Sequence, residues 1–237
     1  RLDDPSYASG YAHHPVGGIL REVSLLAQPQ ICLTDFYVET QLDGLYRDAL
    51  LKVGYQTAAP TDATLTFTLT DPDGREVPLP RHSFPMEAVS GEGGSIALPV
   101  ARPRQWDAEH PALYRLTVSI SQDGEEIGSF SRMVGFRDIR IAGNRMIVNG
   151  RPVKLRGACR HDIHPTLGRI TTAELDSLDA VRFKESNMNF VRTSHYPPSE
   201  KFLEYCDRMG IYVECETSVC FVDTHRQKNY APGNSQD

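Results

Sequence analysis

The stretch VKLRGACRHDIHPTLGR (153–169), continued by NFVRTSHYPPSE (189–200) and IYVECETS (211–218), decides the fold. It reads as strand, helix, strand, helix, strand, with polar groups gathered where each short apolar run ends. Arg160, His161 and His164 follow the first run, Ser194, His195 and Tyr196 follow the second, and Glu216 closes the third. In a parallel βαβ array the strand ends share one rim, so residues far apart in sequence converge there. That rim is the candidate site.

The segments between the strands carry helix signals. Thr171 and Glu174 have the spacing of a capping box, Leu175, Leu178 and Val181 recur at helical spacing, and Asn187 suits a left-handed end. In the second helix Ser199 is the N-cap after Pro197 and Pro198. Phe202, Leu203, Cys206 and Met209 make its apolar face, and Gly210 ends it.

Alternation along the strands predicts which way side chains point. Val153, Leu155, Gly157 and Cys159 form the apolar phase of the first strand, against Lys154, Arg156, Ala158 and Arg160. Val191 and Thr193 oppose Phe190, Arg192 and Ser194 in the second strand. Ile211, Val213 and Cys215 oppose Tyr212, Glu214 and Glu216 in the third. The apolar phases are expected to pack under helices. The charged phases are expected to face a barrel lumen, where Arg156, Arg192 and Glu214 offset one another or a carboxylate from elsewhere in the barrel, because a buried unpaired charge is costly. A sheet covered on both faces would instead show nearly continuous apolar strands.

Upstream, from Ile31 to Arg137, the pattern changes to period two: Leu51, Val53 and Tyr55, then Leu65, Phe67 and Leu69, then Tyr114, Leu116, Val118 and Ile120. Asp71-Pro72-Asp73-Gly74 and Gln122-Asp123-Gly124 supply the reversals. Such spacing predicts an immunoglobulin-like antiparallel β-sandwich without a Cys–Trp–Cys framework. Trp106 is expected to anchor a core or corner rather than to offer a sugar platform. Met146 to Val148, the Asn149-Gly150 turn and Val153 to Leu155 predict a hairpin leading into the α/β part. Residues 1–30 contain a single strand-like run, Leu20 to Ala27, and read as a terminal arm or, alternatively, as the last strand of a preceding β domain. The sandwich then occupies 31–137, and 138–237 begins a barrel expected to continue further.

The 237 residues carry a formal charge of -6 and no dense Lys/Arg block, which argues against a nucleic-acid or membrane-surface partner. No apolar run approaches a membrane span. Cys32, Cys159, Cys206, Cys215 and Cys220 lack any CxxC pair and read as buried thiols. His161, His164, His195 and His225 with Glu216 invite a metal reading, yet no second motif has paired-ligand spacing. The same histidines could hydrogen-bond a sugar or cap local backbone. Glu214 and Glu216 lie two apart on one strand and project together, so they do not flank a scissile bond.

Three ordered motifs carry a family resemblance. Arg156-Gly157-Ala158-Cys159-Arg160-His161-Asp162, with His164-Pro165 and Gly168-Arg169 behind it, resembles the first barrel strand of glycoside hydrolase family 2. Asn189-Phe190-Val191-Arg192-Thr193-Ser194-His195-Tyr196-Pro197 resembles its second-strand signature, and Cys206 to Val213 its lead into the third. The resemblance extends to Gly17 to Val23, as the end of a sugar-binding-like β domain, and to 31–137 as the immunoglobulin-like middle domain. It implies a multidomain protein in which this sandwich is followed by the first strands and helices of a (β/α)8 TIM barrel.

The activity so implied is that of a retaining exo-β-glycosidase, β-galactosidase-like from the Arg160 to Pro165 pattern. Its two catalytic glutamates would come from later strands, so this segment would hold neither and be inactive alone. Supporting roles fall on Arg192 near the nucleophile carboxylate, His164 and His195 at sugar hydroxyls, and Arg156 and His161 ordering the rim, with Tyr196 and Glu216 beside them. The segment from Thr217 to His225 is longer than the family's usual route to a divalent-cation site. No metal or cofactor is therefore assigned to Glu216, Asp223 or His225, a divalent cation staying open as an alternative. The implied partners are a carbohydrate substrate and, for the full-length protein, further copies of itself. A non-catalytic carbohydrate-binding or scaffold module and a metal-dependent barrel hydrolase are the competing readings.

Overall fold

A computed structural model describes residues 19, 22–57, 61–86 and 94–217. The Gly17 to Val23 motif falls largely outside these residues, and Cys220, Asp223 and His225 lie wholly outside them. Within the run expected as a strand from Leu20 to Ala27, the described residues 22–27 form none. The chain divides into two compact units, one spanning Leu25–Lys154 and the other holding the βα array from Leu155 onward.

The first unit is an antiparallel β-sandwich. Strands β1 (Leu33–Leu42), β2 (Ala49–Thr57) and β6 (Gly94–Val100) make one sheet in the order β1-β2-β6. Strands β4 (Glu76–Val77), β3 (Thr64–Thr70), β7 (Tyr114–Gln122) and β8 (Glu125–Val134) make the other, with β5 (Ser83–Pro85) also pairing β3. The period-two residues Leu51, Val53, Leu65, Phe67, Leu69, Leu116 and Val118 are all buried in one cluster. Each such side chain contributes about 1.5–3 kcal/mol on burial. At the β7–β8 turn Asp123 and Gly124 both take positive φ, the conformation that matches strand twist.

Trp106 is buried, as its anchor role required, and its N–H donates to the Phe136 carbonyl at 2.8 Å. A Cβ on Gly135 would lie 2.9 Å from the Trp106 Cβ, so the indole needs a glycine there. A meander of β9 (Ile139–Ala142), β10 (Arg145–Val148) and β11 (Arg151–Val153) completes this unit. The hairpin turns at Asn149 and Gly150, both left-handed, but its second strand ends at Val153 rather than Leu155.

The second unit is a parallel sheet of β12 (Gly157–Arg160), β13 (Phe190–Thr193) and β14 (Tyr212–Cys215), joined through helices α1 (Ala173–Glu185) and α2 (Glu200–Met209). The single strand expected from Val153 to Arg160 is thus two pieces: Val153 belongs to the antiparallel meander and β12 begins at Gly157. The Asn189 side chain explains the break, since its Oδ1 accepts the Arg156 N–H at 2.8 Å and starts the new pairing. Gly157 is obligatory at that start, because a Cβ there would overlap the Phe190 carbonyl oxygen.

Side-chain phases follow the sequence in β13 and β14 and are inverted in β12. Register places Ala158 beside Val191 and Arg160 beside Thr193, so Arg160 is on the helix side and Cys159 lies with Arg192 on the other. Arg160 is buried beneath the helices because three carboxylates meet it there. Cys159 and Cys215 are exposed and Cys32 is half-buried, so among the described cysteines only Cys206 is the expected buried thiol. Burial pushes its pKa up to about 12.

Helix α2 has its expected ends: the Ser199 hydroxyl accepts the Phe202 N–H at 3.0 Å and Gly210 closes it with φ 71. Helix α1 differs in two respects. Its N-cap is Thr172, accepting from the Leu175 N–H at 3.3 Å, rather than Thr171. Its buried face is Asp176 and Ala180, while Leu178 is 45% exposed. The helix ends as expected, with Asn187 left-handed at φ 57.

Candidate functional site

The rim at the ends of β12, β13 and β14 is built from the backbone outward. Thr193, last in β13, uses its hydroxyl to accept the Glu216 N–H at 3.2 Å and to donate to the Glu214 carbonyl at 3.4 Å. This fixes the chain just past β14. The Glu216 carboxylate then lies 2.8 Å from Arg192 Nη2 and 3.0 Å from His195 Nδ1. His195 and Glu216 side chains are only 12% and 15% exposed, so this pairing is weakly screened by solvent. Glu214, 59% exposed, approaches Arg192 Nε at 3.8 Å. Arg192 and Glu214 therefore share the face away from the helices and offset each other, as their phase predicted.

A carboxylate only accepts, so in this contact the His195 Nδ1 carries the proton. Desolvation opposes the charge on Arg192, but Cys159, whose Sγ is 3.9 Å away, and the carboxylates of Glu216 and Glu214 raise its pKa overall. His161 packs edge-on to His195 with ring centroids 5.3 Å apart. Its pKa is lowered, chiefly by burial and then by His195 and Arg169, against the opposite pull of Asp162 and Glu216. The lowered pKa favours the uncharged imidazole of His161.

Beneath the rim Arg160 anchors the array. Its guanidinium reaches Asp162 at 2.5 Å, Asp176 at 2.7 Å and Asp179 at 2.8 Å, and it lies 3.9 Å above the Phe202 ring. The Ser199 hydroxyl donates to Asp176 at 2.5 Å, joining the α2 N-cap to the same cluster. These carboxylates raise the Arg160 pKa against the larger single effect of burial. The arginine thus ties β12 to both helices.

Of the residues expected at the site, His161, Arg192, His195, Tyr196 and Glu216 come together. Tyr196 joins through its hydroxyl, which accepts the Asp162 N–H at 2.9 Å. His164 lies in the loop after β12, where its Nδ1 accepts the Thr166 and Leu167 N–H groups, each at 3.3 Å. Arg156 is exposed and enters the array through its backbone alone. The sequence reading missed Asp162, Asp176, Asp179 and Arg169. The available signal for the first three was a set of carboxylates on the face that had to meet a strand-end arginine. Among the described residues no group of three His, Cys, Asp or Glu side chains is arranged to hold a metal ion.

Parallel strands with covering helices and a charged rim at the strand ends, preceded by a β-sandwich, define the opening of a barrel in a multidomain protein. Two family models match accordingly: "Glycosyl hydrolases family 2" over residues 31–137 and "Glycosyl hydrolases family 2, TIM barrel domain" over residues 139–235. The chain belongs to glycosyl hydrolases family 2. It is 34% identical over 232 residues to a protein named beta-galactosidase from Photobacterium profundum, and 37% identical over 231 residues to another from Aeromonas hydrophila. Each alignment covers 95% of this chain and 22% of the relative, so the chain spans about a fifth of the length of those proteins. The crystal structure of Ruminococcus gnavus beta-glucuronidase is similar with a TM-score of 0.67 and 28% identity, over 80% of this chain and 30% of that one.

Proposed function

We propose that the protein carrying this chain is a retaining exo-β-glycosidase that hydrolyses terminal β-linked sugars, with β-galactosides favoured. The observation that carries the reading is the Glu216 carboxylate held between Arg192 and His195 at the strand ends of a family 2 chain. With Arg192 on one side and His195 on the other, Glu216 places other groups rather than moving a proton. In this reading His164 and His195 hydrogen-bond sugar hydroxyls, Arg156 and His161 order the rim beside them, and Arg192 offers positive charge to a catalytic carboxylate from a later strand. Contacts that strengthen as the sugar ring flattens lower the barrel's activation barrier, each by a few kcal/mol at most, roughly the scale of one oxyanion-hole donor.

The galactoside preference is supported by the Arg160 to Pro165 pattern and by the names of the more similar relatives. In this reading the sandwich is the family's immunoglobulin-like middle domain and 138–237 the start of its barrel. A panel of p-nitrophenyl β-glycosides on the intact protein tests it. Galactoside kcat/KM is expected to exceed that of the glucuronide and glucoside, and a preference for the glucuronide overturns the subtype. No turnover of any β-glycoside overturns the activity. Residues 1–237 alone are expected to turn over none of them.

A further inference from the structure

The loop between β12 and α1 is a short closed turn. His164 and Gly168 exchange both backbone hydrogen bonds, at 2.7 and 3.0 Å, and Gly168 takes φ 65, which favours glycine. His164 Nδ1 also accepts the amides at the tip, so the turn is closed by its own hydrogen bonds. Both ends of it meet the same ring in the loop after β13. Asp162 donates its N–H to the Tyr196 hydroxyl at 2.9 Å, and the Arg169 guanidinium carbon lies 4.5 Å from the Tyr196 ring centroid. His161 immediately precedes Asp162, and His195 immediately precedes Tyr196. The contacts on Tyr196 therefore set the spacing of the two loops where the two histidines touch.

We propose that Arg169 is a positioning residue: seated on the Tyr196 ring, it clasps the loop after β12 to the loop after β13 and holds His161 against His195. The proposal rests on the glycosidase reading and adds a residue to it. An arginine over a partly desolvated aromatic face is attracted by the ring quadrupole, and its planar group resists sliding better than an ammonium. Arg169 also acts through charge. The ionisable groups around His161 are His195 and Arg169, which disfavour its protonation, and Asp162 and Glu216, which favour it, with Arg192 neutralising part of the Glu216 charge. Removing its charge makes His161 easier to protonate.

Diethyl pyrocarbonate, which acylates neutral imidazoles, reads this directly when His161 labelling in the intact protein is followed by peptide mass spectrometry across the imidazole titration range. In Arg169→Gln the labelling midpoint is expected to move to higher pH, and kcat/KM for p-nitrophenyl β-galactoside to fall roughly tenfold to a hundredfold. An unmoved midpoint, with activity and thermal stability lost in step, would make Arg169 merely structural and overturn the proposal. Arg169→Lys, the milder change, keeps the charge and loses the flat face. Its midpoint is expected at the wild-type position with kcat/KM still reduced, and wild-type kcat/KM in this variant overturns the clasp. Labelling needs no turnover: a wild-type protein inactive on every glycoside sinks the glycosidase reading, and the midpoints alone then decide the role of Arg169.

Discussion

Arg160→Met removes the cation that the second unit is assembled on. Methionine keeps much of the packing volume over Phe202, so the change isolates charge. It leaves Asp162 and Asp176, each 2% exposed in its side chain, without the guanidinium that lies 2.5 and 2.7 Å away. Asp179 is 42% exposed and loses only a solvent-screened contact, about 0–1 kcal/mol. Stranding one partner of a buried pair costs about 3–5 kcal/mol, and the Ser199 hydroxyl on Asp176 offsets part of it, so the lower end is expected. In a multidomain protein a single unfolding midpoint is a poor measure of this loss, whereas amide exchange reads it locally. Peptides covering β12 and α1 should exchange roughly a hundredfold faster in the intact variant, the equivalent of about 3 kcal/mol. Adding Asp176→Asn should recover part of that protection. Acceleration below about fivefold, or no recovery in the double variant, would refute the claim that this ion cluster holds the strand to its helices.

Three further outcomes follow from the same geometry. Gly157→Ala must push β12 from β13, because the new Cβ meets a backbone carbonyl that cannot rotate away; a loss of about 1–3 kcal/mol in β12 and β13 exchange protection is expected. Cys159 and Cys215 should react with a thiol reagent in the native protein while Cys206 reacts only on unfolding, as mass mapping would show. The lowered His161 pKa means that the unfolded chain binds more protons than the native one just below the ordinary imidazole pKa. Its contribution is therefore complete above that pKa and is lost as pH falls from there through the depressed native value. Exchange protection of the β12 loop should decline over that window, and decline less in His161→Asn.

How far the sequence could be read depended on whether apolar side chains or ion pairs decided a position. Helix α2 was legible to its ends, since Ser199 and Gly210 act through their own backbones and Phe202 and Cys206 through burial. Helix α1 was not, because its buried face is carried by Asp176, and a carboxylate reads as solvent-facing until its arginine is known. The same pair inverted β12: Arg160 looked like a lumen residue, while Cys159 looked like core. The convergence of Arg192, His195 and Glu216 was legible because it needs only parallel strands and period-two alternation. His164 illustrates the opposite limit: the closure of its loop depends on Gly168 and on amides whose directions no pattern specifies.

Thr193 sets a narrower rule for what can change at this rim. The ladder between β13 and β14 stops at Cys215, and the Thr193 hydroxyl carries it one residue further to Glu216. The carboxylate thus owes its address to a side chain on the neighbouring strand. Serine would preserve that address, whereas valine would keep the shape and lose it. A substitution at position 193 that removes the hydroxyl is accordingly expected to release Glu216 from the arginine and the histidine it serves.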